Sequence, residues 1–169
     1  MKARYLLLAL AALSCAEPSA PRPQGDLFDG LPLPPPPVPV PLDLVRCSPL
    51  AYDSVTQTIG PEGGTLQVGT STLSVPAGAL DSAVSITAVT PSDTVNHIHF
   101  EPQGLTFLQP ASLTMSYANC NTMLSSDPRR IAYTTEALQI LEYVPSVDDV
   151  MTQAVTGQLQ HFSDYAIAW

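Results

Sequence analysis

Between Leu113 and Tyr117 apolar and hydroxyl side chains take turns, with Leu113, Met115 and Tyr117 on one side and Thr114 and Ser116 on the other. A period of two marks a strand with one face in a core and the other in water. Short runs of this kind recur from about residue 54 onward. Val55–Ile59, Thr65–Val68, Thr72–Val75, Val84–Val89, Asn96–Phe100, Leu105–Tyr117, Ile131–Thr134, Leu138–Val144, Thr152–Leu159 and Tyr165–Trp169 predict about ten strands. Turn residues punctuate them: Gly60-Pro-Glu-Gly-Gly64, Gly69, Pro76-Ala-Gly78, and then Pro102, Gly104 and Pro110. No stretch holds an apolar period of 3.6 over the length of a helix. The expected fold is all-β, an antiparallel β-sandwich over residues 51–169.

The first 50 residues follow other rules. Lys2 and Arg4 precede an unbroken apolar run from Tyr5 to Leu13, too short to span a bilayer and in the charge order of a secretory signal peptide, residues 1–14. The run ends at Ala12-Leu-Ser-Cys15, which resembles a bacterial lipobox with Ala12 in the place usually held by Leu. Cys15 is therefore the expected lipidation site, and each buried methylene of an acyl anchor adds about 0.8 kcal/mol to membrane affinity. Residues 15–50 then form a linker. Ten of the 18 prolines fall between Glu17 and Pro41, peaking in Leu31-Pro-Leu-Pro-Pro-Pro-Pro-Val-Pro-Val-Pro41. Such a segment lacks amide donors for helix or sheet and is expected to be a disordered stalk of polyproline II character.

Charge narrows the partners. The chain carries -9 formally, and once Lys2 and Arg4 leave with the leader, four arginines face 15 carboxylates with no lysine. A surface of that sign lacks the basic footprint that nucleic acid requires. The expected location is the cell envelope, as an exported, outer-membrane-anchored lipoprotein facing the periplasm or the surface. Its partner would be a protein or an envelope component. With Cys15 acylated, Cys47 and Cys120 remain as an even pair in an oxidising compartment, and a disulfide between them is expected.

Further residues point to a family. Ile59-Gly-Pro-Glu-Gly-Gly-Thr-Leu66, followed by Leu73-Ser-Val-Pro-Ala-Gly-Ala-Leu80, resembles the opening of the ZU-five domain of ankyrins, netrin receptors and tight-junction scaffolds. Phe100-Glu-Pro-Gln-Gly-Leu-Thr-Phe107 with Pro110 is similar to that domain's central proline-flanked strand, and His161-Phe-Ser-Asp-Tyr-Ala166 to its closing strand. The resemblance implies a β-sandwich used for protein contacts, without a small-molecule cofactor. It also implies a second possibility, since a few members cleave themselves between Phe and Ser of a His-Phe-Ser sequence. Ser163 would then attack the carbonyl of Phe162 and His161 would take its proton, through a strained peptide.

Other candidate chemistry is thinner. His97 and His99 share a strand face with Glu101, a spacing compatible with a metal edge, but a closed site needs four ligands and surface placement is the expectation. Asp148-Asp149 reads as a solvated turn rather than a calcium loop. No hydrolase elbow, phosphate-binding loop, dinucleotide fingerprint or zinc-protease motif is present. The expected function is a non-enzymatic, membrane-anchored binding module. Self-cleavage at Phe162–Ser163 is one alternative. Carbohydrate binding on Trp169 with Tyr117, Tyr133, Tyr143 or Tyr165 is another.

Overall fold

A computed structural model describes residues 43–169. The expected signal peptide, the expected lipidation site Cys15 and the proline-rich stretch up to Pro41 lie outside the described residues. Eleven strands follow one another: β1 Asp53–Ile59, β2 Gly64–Val68, β3 Ser71–Val75, β4 Val84–Thr90, β5 His97–Glu101, β6 Thr106–Ser116, β7 Arg130–Thr134, β8 Ile140–Tyr143, β9 Ser146–Asp149, β10 Ala154–His161 and β11 Asp164–Ala168. They form two antiparallel sheets, of six strands in the order β1-β4-β5-β11-β7-β8 and of five in the order β2-β3-β6-β10-β9. No helix occurs among the described residues. The expected all-β sandwich is the fold.

Alternation decides which side chains meet between the sheets. Leu66, Val68, Leu73, Val75, Leu113 and Met115 from the five-stranded sheet share one buried cluster with Ile86, Ala88, Ile98, Phe100, Ile131, Tyr165 and Ile167 from the six-stranded sheet. A smaller cluster on Leu44, Val95, Ala132, Leu138, Ala166 and Ala168 sits beside it. Every residue of β11 is consequently buried. Apolar side chains at consecutive positions are what a strand covered on both faces requires.

The N-terminal boundary differs from the expected one. Leu44 and Val45 are buried, Leu44 bridges Ala168, and Arg46 bridges Val95, so the sandwich takes in residues assigned above to the linker. Cys47 and Cys120 form the expected disulfide across a separation of 73 residues. In the chain-entropy account, closing a loop of that size contributes about 4 kcal/mol.

Local chemistry explains the corners. Gly63 takes φ +77°, and a Cβ there would come within 3 Å of backbone atoms of Val75 and Ala77. Pro110 is not a strand end: β6 runs through it. The pairing of β10 with β6 jumps between Leu159↔Ala111 and His161↔Thr106, so Pro110 sits in a bulged stretch where no ladder donor is needed. β9 was not expected at all, and Leu138, expected to open a strand, instead takes φ 58° in the turn before β8.

Candidate functional site

β10 belongs to one sheet and β11 to the other, and only Phe162 and Ser163 carry the chain across. This crossing is built to hold one geometry. The Phe162 ring is fully buried, stacked on Phe100 at 4.7 Å between centroids and meeting the Phe107 ring edge-to-face at 4.9 Å. Its N–H donates to the Leu105 carbonyl at 2.8 Å, and its own carbonyl accepts from the Gly104 N–H at 3.0 Å. The Ser163 carbonyl accepts from the Phe100 N–H at 3.2 Å. The Tyr165 hydroxyl, pushed well above its usual pKa chiefly by burial, donates to the His161 carbonyl at 2.6 Å. That bond back to the chain four residues upstream is the device of a tyrosine corner in other sandwiches.

The candidate catalytic residues are only partly brought together. His161 Nδ1 lies 3.4 Å from the Phe162 carbonyl oxygen and 3.5 Å from the Tyr165 hydroxyl, while its ring meets Tyr133 edge-on at 5.0 Å. The Ser163 side chain forms no hydrogen bond among the described residues, to His161 or to any other group, and the residue is 6% exposed. Neither Phe162 nor Ser163 has a positive φ. What the corner offers chemically is a peptide carbonyl polarised by one N–H, with an imidazole beside its oxygen.

Asp164, the next residue, builds a second polar cluster. Its Oδ1 is 2.7 Å from His99 Nδ1, and His99 Nε2 is 3.1 Å from Glu101 Oε1. The Gln103 N–H donates to Glu101 Oε2 at 3.0 Å, and Gln103 Nε2 stands 3.2 Å from His99 Nδ1. Burial disfavours the charged imidazole, but the hydrogen bonds and charges of Asp164 and Glu101 outweigh it and raise the His99 pKa above 6.5. His97 instead turns Nδ1 to the Val95 carbonyl at 3.1 Å, so the two imidazoles of the pair serve different partners. A hollow of about 320 Å3 beside them is bordered by His97, His99, Glu136, Leu138 and Asp164. Among the described residues no group of three or more His, Cys, Asp or Glu side chains is placed to hold a metal. Sequence reasoning found His99 and Glu101 but missed Asp164, because only the β5–β11 register sets Asp164 opposite His99.

Asp148 corrects the expected solvated turn. It lies in β9 with its side chain 6% exposed. Its Oδ1 accepts from the Tyr117 hydroxyl at 2.6 Å, and its Oδ2 accepts from the Arg129 N–H at 3.0 Å with Arg129 Nη1 at 3.6 Å. Burial and the bond to Asp148 push the Tyr117 pKa up to about 12. The Arg129 guanidinium stands 5.3 Å from the Tyr117 ring centroid and 5.0 Å from that of Trp169. Of the aromatic residues considered as a platform, Tyr117 and Tyr165 are core and Tyr133 is half-buried against His161. Tyr143 and Trp169 border an open cleft.

Scanned against protein-family models the chain finds no match, and a search of curated proteins finds none either.

Proposed function

We propose that this chain is a non-enzymatic binding module of the cell envelope, held to a membrane through Cys15 and related to the ZU-five sandwiches it resembles. The observation that carries this reading is an exposed apolar edge. On the edge strand β9 and the turn after it, Val147 is 73% exposed, Val150 is also exposed, and Met151 is 93% exposed. An edge strand offers unpaired backbone groups, and proteins ordinarily blunt such edges unless something pairs with them. Here apolar side chains flank the strand, the kind of surface that marks contact sites. Asp148 and Asp149 accompany them and favour a partner with positive charge opposite.

In-cell photo-crosslinking tests the reading. A crosslinking residue at position 147 of the full chain is expected to give discrete adducts, and one at position 57, on a different sheet, to give none. The Cys15→Ser variant is expected to lose labelled palmitate and the adducts together. Adducts at neither position, or palmitate unchanged in Cys15→Ser, would overturn it.

A second reading, self-cleavage between Phe162 and Ser163, is favoured by one observation: the Gly104 N–H at the Phe162 carbonyl oxygen, where negative charge would develop. The distance pattern around His161 counts against it. Because β11 pairs with both β5 and β7, a cleaved product would remain assembled, so the test is an intact mass under denaturing conditions. The leading reading expects one full-length mass. Loss of the segment from Ser163 onward, abolished by Ser163→Ala, would establish the second.

A further inference from the structure

The cleft bordered by Asp43, Asp127, Pro128, Arg130, Tyr143 and Trp169 has a volume of about 470 Å3, within the range of small-molecule sites. Its walls come from the segment entering the sandwich, the loop before β7, the first residue of β7, the last of β8 and the residue after β11. Backbone and side chains fix these walls to one another. The Trp169 N–H donates to the Asp43 carbonyl at 2.9 Å. Arg130 donates from Nη2 and Nε to the main-chain oxygen of Trp169, at 2.9 and 3.3 Å, while its guanidinium covers the Tyr143 ring at 3.9 Å from the centroid. The indole of Trp169 is braced from beneath by the buried Arg129, itself seated against Tyr117 and Asp148. Arg129 covers one side of the Trp169 indole, which also packs against the main buried cluster, and Trp169 borders the cleft.

The charges select the occupant. Arg130 is already committed to a main-chain oxygen and an aromatic face, so no free cation waits for an anion, and Asp43 and Asp127 repel one. A cationic ligand would have to settle beside the Arg130 guanidinium. An uncharged ligand with an apolar face for the indole and hydroxyl groups around its rim meets neither penalty, and the two carboxylates are acceptors for those hydroxyls. That is the chemistry of a pyranose ring. We infer that this cleft binds one ring of a neutral saccharide, stacked on Trp169 with its hydroxyls on Asp43 and Asp127. The inference rests on the binding-module reading and gives it a second contact, to a polymer, on a different surface from β9.

Trp169 is the single tryptophan of the chain, so emission excited selectively at tryptophan, beyond the absorption of its six tyrosines, comes from this one residue. The experiment titrates the full chain in detergent with cellotriose and with triacetylchitotriose, and checks each by calorimetry. The expected result is a saturable change in tryptophan emission with at least one of them, at an apparent Kd of about 1 mM or tighter. Asp127→Lys, an exposed substitution that fills the cleft with a long cation, is expected to weaken binding by about tenfold or more. Trp169→Phe, followed by calorimetry, is expected to weaken it too. No saturable response up to about 10 mM with either sugar, or a response that survives Asp127→Lys unchanged, would overturn the inference. Equal binding of the acidic trigalacturonate would overturn the neutral assignment. Loss of the sugar response with position-147 adducts intact would retire the cleft while leaving the module's protein-contact reading in place.

Discussion

Single side chains hold the crossing between the sheets. Tyr165→Phe removes the hydroxyl that satisfies the His161 carbonyl and is expected to cost about 1–2 kcal/mol, measured by urea unfolding. Gly63→Ala places a Cβ against backbone at a positive φ and is expected to cost about 2 kcal/mol or more in the same assay. His99 adds a pH dependence. Its pKa is raised in the folded state, so its contribution is fully present below about pH 6.5 and fades as pH rises through the higher folded value. The groups facing it are Asp164 from β11, Glu101 and Gln103 from its own strand and loop, and His97 and Glu136 around the adjoining hollow. Unfolding titrations from pH 5 to 9 are expected to show that loss in the wild type and a flatter profile in His99→Gln. At this scale the sequence was informative about residue types but silent about partners. His161, Phe162 and Ser163 stood out as neighbours in the chain, yet which atom the imidazole faces depends on Tyr133 and Tyr165, brought up by tertiary pairing.

The strands were legible where one face is buried and the other wet. β2, β3 and the second half of β6 alternate cleanly, and their positions follow from period two alone. β9 escaped because its one large apolar residue, Val147, faces solvent, while the residues turned inward are polar, Ser146 and Asp148. Pro110 read as a stop because a ladder cannot use it, and the bulge that excuses it belongs to the β6–β10 pairing rather than to either strand. The disulfide was accessible by counting cysteines in a chain whose N-terminus reads as an export signal. Replacing both cysteines by serine is expected to lower the unfolding free energy by about 4 kcal/mol, read by urea unfolding with and without reductant. A free-thiol count near two in the denatured, unreduced wild type would contradict the bridge.

At the scale of the whole molecule, the two sheets could be foreseen but their strand order could not, since nothing local tells β11 to lie between β5 and β7. That order also decides when the sandwich can exist. As the chain is made from its N-terminus, β11 is the last of the eleven described strands to arrive, and until then β5 and β7 face an empty slot. The two pieces of the six-stranded sheet, β1-β4-β5 and β7-β8, are joined only when β11 pairs with both, at more than sixty residues of chain from β5. The consequence is a timing rule: β1-β4-β5 and β7-β8 stay two separate pieces of sheet until β11 emerges and joins them in one late step.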